Sequence, residues 1–71
     1  MPHLHQKIQQ QRLQLGLTQQ EVAELSGVSI RLIRELEAGR ANPGLHQLEK
    51  LAAALNLTLT LTPNPNAVLD R

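Results

Sequence analysis

Residues 18–39 contain two helix-start signals with a glycine between them, and this arrangement restricts the fold more than any other part of the chain. Thr18 and Glu21 form a T-x-x-E capping box, in which each side chain accepts a hydrogen bond from the other residue's backbone N–H. Ser29 is a second N-cap candidate, and Gly27 precedes it where a sharp turn needs a residue that tolerates positive φ. The pattern predicts two short helices joined by a tight turn, with the second helix ending at Gly39.

Apolar spacing predicts which face of each of these two helices is buried. The inward residues of the first helix are expected to be Val22, Ala23 and Leu25. The inward stripe of the second helix is expected to be Leu32, Ile33 and Leu36. The residues left outside that stripe are Ile30, Arg31, Arg34 and Glu35. The second helix therefore presents two arginines outward from an apolar base.

Two further helices are expected to flank this pair. The first runs from near His3 to Gly16, and its inward residues are expected to be Leu4, Ile8 and Leu15, with Leu17 packing inward after it. Residues 40–44, RANPG, have the composition of a loop. The last helix follows over residues 45–55, with an inward face of Leu48, Leu51, Ala52 and Leu55.

The periodicity changes after this last helix. Residues 57–62, LTLTLT, alternate strictly between Leu and Thr, which is typical of a β-strand, and Pro63 ends the run. The alternatives are an irregular segment or a short helix packed on its own subunit. Because a single strand leaves backbone groups unpaired, its natural partner is the same strand of a second copy. Leu57, Leu59 and Leu61 would then form the dimer contact by packing on the last helix.

The resulting fold prediction is an all-α domain of four helices with a short C-terminal β-strand that forms an intermolecular ribbon in a dimer. The helical domain is placed at residues 1–56, the dimerising strand at 57–62 and a flexible tail at 63–71. With only 71 residues the chain buries a modest core, so oligomerisation is the expected source of additional stability.

Composition narrows the possible functions. The absence of cysteine excludes disulfides and thiolate metal sites and suits a cytoplasmic protein. The absence of aromatic residues argues against single-strand binding by base stacking. No apolar run approaches a membrane span, and the net charge of +1 requires any DNA-binding charge to be concentrated on one face.

No catalytic or metal-binding pattern is evident. His3 and His5 are two residues apart, on opposing helix faces, and His46 has no acidic or thiol partner nearby in the sequence, so these histidines are expected at the surface. We therefore expect no enzyme activity, no cofactor and no metal site.

Residues 15–57, LGLTQQEVAELSGVSIRLIRELEAGRANPGLHQLEKLAAALNL, resemble the phage-repressor and Cro-like (XRE) helix-turn-helix family, and the resemblance covers roughly residues 8–57. The residues that carry the resemblance are Gly16, Leu17, Thr18, Gln19, Ala23, Gly27, Val28, Ser29, Ile33, Leu36, Glu37 and Gly39. The resemblance implies a repressor-like domain whose second motif helix lies in the DNA major groove.

The resemblance also implies roles for individual residues. Base contacts would come from the first turns of that helix, which carry Ser29, Ile30, Arg31 and Arg34. Phosphate contacts would come from Gln19, Arg40 and Asn42. Arg12 and Glu37 would form a structural ion pair between the first helix and the end of the third.

Two alternatives concern the charged residues of the third helix. Arg31 and Arg34 could be an ordinary solvated face. Glu35 is awkward beside phosphates, and it could accept a hydrogen bond from cytosine N4 or face Arg31 one turn back.

A repressor-type helix-turn-helix followed directly by a dimerising strand resembles the HipB-type antitoxins, whose partners are HipA-like kinase toxins. The expected function is therefore a dimeric repressor of a palindromic double-stranded operator that also neutralises a HipA-like kinase. The alternatives are a helix-turn-helix regulator without a toxin partner and a protein-interaction adaptor of the same fold.

Overall fold

The computed structural model describes residues 4–65, and within this range it contains four α-helices. They are α1 (Leu4–Gln14), α2 (Gln19–Ser26), α3 (Ile30–Glu37) and α4 (Leu45–Ala54). The number of helices and their order confirm the predicted all-α fold. Every helix in this range is too short or too polar to cross a membrane.

The starts of α2 and α3 are capped by side chains, as predicted. The Thr18 hydroxyl accepts a hydrogen bond from the Glu21 backbone N–H at 3.0 Å, and the Glu21 carboxylate accepts one from the Thr18 N–H at 2.8 Å. The Ser29 hydroxyl accepts from the Leu32 N–H at 3.1 Å. Gly27 lies between the two helices with a φ of +74°, so the turn uses the left-handed conformation that favours glycine.

The end of α3 is a Schellman motif. Gly39 adopts a φ of +76°, its N–H donates to the Leu36 carbonyl at 2.9 Å, and the Arg40 N–H donates to the Glu35 carbonyl at 2.8 Å. The chain is thereby turned back over the last turn of α3, which brings Arg40 beside Glu35.

The end of α4 has the same geometry with an asparagine in place of glycine. Asn56 has a φ of +60°, and the Leu57 N–H donates to the Ala52 carbonyl at 2.7 Å. This bond directs Leu57 back onto the core, where it packs partly buried against the apolar cluster.

The core lies between the inner faces of all four helices. Its largest fully buried side chains are Val22, Ile33, Leu51 and Leu55. The remaining members of the buried cluster are Ile8, Val28 and Leu36. Because α3 packs against both α1 and α2, its inner face is held in place while its outer face is left exposed.

Three leucines expected to face inward are instead exposed. Leu4 and Leu15 are 37% and 44% exposed; Leu4 is the first residue of α1, and Leu15 directly follows its last residue. Leu25, in the last turn of α2, is 63% exposed. The next residue, Ser26, caps the turn, where its hydroxyl accepts a hydrogen bond from the Val28 N–H at 3.1 Å.

Residues 57–62 form neither helix nor strand in the described single chain. A β-strand is defined by hydrogen bonds to a neighbouring strand, and residues 4–65 of one copy supply none. Leu59 is 40% exposed and Leu61 fully exposed. The intermolecular ribbon stays a prediction, as does the flexible tail at 63–71, of which residues 66–71 lie outside the described part of the chain.

Candidate nucleic-acid interface

The outer face of α3 carries exposed positive charge over an apolar inner face. Ile33 and Leu36 are buried, whereas Arg31 and Arg34 are exposed and Ile30 is half-buried beside them. Ser29 is exposed at the start of the helix. The structure therefore places four of the predicted DNA-contacting residues along α3, from its N-cap Ser29 to Arg34 in its last turn.

Arg31 and Arg34 form no ion pair with any other residue in the range 4–65. Their guanidinium groups are thus available to an acceptor outside the chain. A guanidinium can donate two parallel hydrogen bonds to the O6 and N7 atoms of guanine, which a lysine ammonium cannot match in geometry.

Glu35 pairs with Arg40 rather than with Arg31. The Arg40 Nε donates to Glu35 Oε2 at 3.0 Å, and the two side chains are 69% and 40% exposed, respectively. The expectation that Glu35 faces Arg31 is therefore wrong. The Schellman motif is the reason, because it folds the backbone of Arg40 directly over Glu35.

A buried ion pair joins α1 to the end of α3. Arg12 donates through Nε to Glu37 Oε2 at 2.7 Å and through Nη2 to Glu37 Oε1 at 2.9 Å, and its Nη1 donates to the Leu17 carbonyl at 2.8 Å. Only 11% of the Arg12 side chain and 3% of the Glu37 side chain are exposed. The expected Arg12–Glu37 contact is thus present, in a bidentate form.

The surroundings of Arg12 favour the charged state of its guanidinium. The hydrogen bonds from Arg12 to Glu37 raise the pKa of Arg12 above its ordinary value, and the charge of Glu37 adds to the effect, while burial opposes it. Both charges are compensated by direct hydrogen bonds, which a buried ion pair requires if it is not to destabilise the fold.

Gln19 is hydrogen-bonded to the same Glu37 carboxylate. Its amide Nε2 donates to Glu37 Oε1 at 3.2 Å, so a residue predicted to contact phosphate is held by the buried ion pair. Sequence reasoning missed this bond, because the two residues are 18 positions apart and neither has a pattern that identifies the other. The last turn of α3 thus holds two of the predicted phosphate ligands, Gln19 through Glu37 and Arg40 through Glu35.

The remaining predicted residues lie elsewhere on the surface. Asn42 is exposed in the loop between α3 and α4. Leu57 and Leu59 line a shallow groove of about 230 Å³ whose other walls are Glu49, Ala52, Ala53 and Thr58, and Leu61 projects beyond it. Among residues 4–65, no group of three or more histidine, aspartate or glutamate side chains is placed to hold a metal ion.

Comparison with known proteins gives a consistent result. The helix-turn-helix family model HTH_3 matches residues 8–61, which include all four helices except the first turn of α1. The chain is 44% identical over 52 residues to an HTH-type transcriptional regulator of Haemophilus influenzae, an alignment that covers 73% of this chain and 53% of that protein.

Two further relatives come from distant organisms. An HTH-type transcriptional regulator of Methanothermobacter thermautotrophicus is 46% identical over 48 residues, which are 68% of this chain and 70% of that protein. The regulator y4dJ of Sinorhizobium fredii is 45% identical over 47 residues, which are 66% of this chain and 61% of that protein. The chain thus spans about half of the Haemophilus influenzae relative and somewhat more of the other two.

The buried ion pair leads to a stability prediction. Glu37→Gln removes the charge that compensates buried Arg12, and we expect the free energy of unfolding to fall by about 3 kcal/mol in urea denaturation. The matched control is Glu35→Gln, which breaks an exposed pair and should cost less than about 1 kcal/mol. Replacing both buried partners by Arg12→Met with Glu37→Leu should recover most of the loss. Equal losses for the two Glu→Gln variants would contradict the assignment.

Proposed function

The chain belongs to the helix-turn-helix family, and from this premise we propose that it is a sequence-specific transcriptional repressor that binds double-stranded DNA. The observation that carries the proposal is the outer face of α3, where Arg31 and Arg34 are exposed and unpaired within residues 4–65. Since DNA is the target, we place the protein in the cytoplasm.

In the proposed complex, the outer face of α3 enters the major groove. Arg31 and Arg34 donate to guanine O6 and N7, and Ile30 contacts a thymine methyl group. Ser29, which caps the helix, lies at its leading end. Gln19, Arg40 and Asn42 bind phosphates and set the orientation of α3 without reading sequence.

The two groups of contacts predict different mutant behaviour. Arg31→Ala and Arg34→Ala should each remove about 1–3 kcal/mol of discrimination between a preferred duplex and its base-substituted versions. Gln19→Ala should weaken binding to all these duplexes by the same factor, because it removes a phosphate contact and the hydrogen bond to Glu37 but no base contact. Fluorescence anisotropy on duplexes selected from a randomised library measures both quantities.

The control for charge is Lys50→Ala, which removes one exposed positive charge from α4 instead of α3. It should leave base discrimination unchanged. If both arginine variants keep the discrimination of the unmodified protein, α3 is not the recognition helix.

We further propose that the protein acts as a homodimer through residues 57–62. Leu59 and Leu61 are exposed in the single chain, and Leu57 and Leu59 border the groove beside α4. Pairing this segment with its copy about a two-fold axis would form an antiparallel ribbon and cover these leucines. Two α3 helices would then face a palindromic operator with half-sites about one helical turn apart.

The dimer is tested by two substitutions that introduce the same charge at adjacent positions. Leu59→Asp places a carboxylate in the proposed contact and should give a monomer in sedimentation equilibrium. Thr60→Asp places it on the opposite face of the strand and should leave the dimer in place, because alternate residues of a strand point to opposite sides. A stable Leu59→Asp dimer would contradict the ribbon.

The most specific part of the proposal is that the repressor is the antitoxin of a HipA-like kinase and autoregulates its own promoter. Its support is the order of elements, a repressor-like domain followed directly by the alternating segment 57–62. A kinase reading frame beside this gene would support it, and an unrelated neighbour would favour a regulator without a toxin.

A protein-interaction adaptor of the same fold is the second candidate. The net charge of only +1 and the carboxylate of Glu35 on α3 favour it over a DNA-binding role. A gel-shift assay with the DNA upstream of its own gene separates the two, since an adaptor would not retard that fragment.

A further inference from the structure

Arg40 is bonded to Glu35 twice at the end of α3. Its backbone N–H donates to the Glu35 carbonyl at 2.8 Å, and its Nε donates to the Glu35 carboxylate at 3.0 Å. The first bond belongs to the Schellman motif centred on Gly39, so the backbone itself holds the two side chains within reach of one another.

We propose that Glu35 attenuates DNA binding by neutralising Arg40, an inference that rests on the proposed function. In this view Glu35 sets the absolute affinity of the protein for DNA and leaves its sequence preference unchanged. The preference belongs to Arg31 and Arg34, which lie closer to the start of the same helix and have no carboxylate partner among the described residues.

The geometry explains why this contact attenuates binding without blocking it. The hydrogen bond engages only Nε of Arg40, so the two terminal nitrogens are not held by Glu35. The Arg40 side chain is 69% exposed, which leaves those nitrogens open to a phosphate. Glu35 would then remain beside the bound phosphate, where its charge opposes binding.

The charge of Glu35 is large enough, relative to the nearby positive charge, to affect DNA affinity. The proposed DNA contacts include three arginines, Arg31, Arg34 and Arg40, so one carboxylate beside them offsets about a third of their positive charge. Phosphate neutralisation releases counterions, and each neutralised phosphate adds about 0.9 to the slope of log affinity against log salt. A neutral Glu35–Arg40 pair contributes little to that slope, whereas a free Arg40 contributes fully.

Glu37 does not share this role, although it lies on the same turn of α3. Its side chain is 3% exposed and both oxygens bond Arg12, so its charge is compensated inside the protein. Glu35 is the α3 carboxylate that is both exposed and bonded to a predicted phosphate ligand.

The test compares the unmodified protein with Glu35→Gln on two DNA duplexes, one enriched from a randomised library by the unmodified protein and one of scrambled sequence. Glu35→Gln should bind both duplexes tighter by the same factor, about threefold per copy of the chain, because exposed ion pairs are weak. The slope of log affinity against log salt concentration should become steeper by about 0.9 per copy of the chain. The enriched sequence should stay the same.

Two further variants serve as controls. Glu24→Gln makes the same charge change on α2, where the carboxylate bonds Gln20 and no arginine, and it should shift affinity and slope much less. Adding Arg40→Gln to Glu35→Gln should abolish the gain, since the arginine released by the first change is then absent.

Each outcome bears on a different claim. If Glu35→Gln binds both duplexes with unchanged or weaker affinity, Glu35 is not an attenuator. If it alters the enriched sequence, Glu35 reads bases and the inference is also wrong. If the unmodified protein enriches no sequence at all, the proposed function itself fails, and the inference fails with it.

Discussion

The bidentate ion pair between Arg12 and Glu37 is the contact on which the arrangement of this domain most depends. It joins the end of α1 to the end of α3, and the third bond of Arg12, to the Leu17 carbonyl, also fixes the connection to α2. Separating two buried charges that compensate each other costs free energy. The ends of α1 and α3 and the connection to α2 are therefore held together. The orientation of α3 relative to the other helices follows from this contact and from the burial of Ile33 in the core.

The last turn of α3 links this support to the proposed DNA contacts. Glu37 holds Gln19 from inside the fold, and Glu35 holds Arg40 at the surface. Glu35 and Glu37 therefore lie on opposite sides of the helix. Glu37 is buried and stabilises the fold, whereas Glu35 lies at the surface and acts through its charge. Arg31 lies in the first turn of the same helix and Arg34 in its last turn, so the residues proposed to read bases extend along α3 to the residue before Glu35.

Most of the fold was predictable because its signals are local. Thr18, Ser29 and Gly27 identify the ends of α2 and the start of α3 through caps and a positive φ, which depend on neighbouring residues only. Leu25 was placed inward from its spacing to Val22, but its side chain is 63% exposed in the last turn of α2. The Glu35–Arg40 and Gln19–Glu37 bonds depend on how the chain turns back and packs in three dimensions, which local pattern does not contain. The pairing of residues 57–62 with a second copy likewise depends on contacts that the local pattern of one chain does not contain.

We propose that α3, supported by the Arg12–Glu37 pair, is the surface that binds DNA. Amide chemical shifts recorded by NMR during titration with a duplex enriched by the protein test it directly. The account predicts that the largest changes fall on Gln19, on residues 29–34 and on residues 40–42, with small changes along the outer face of α4. Changes concentrated on α4 and residues 57–61, with α3 unaffected, would contradict it.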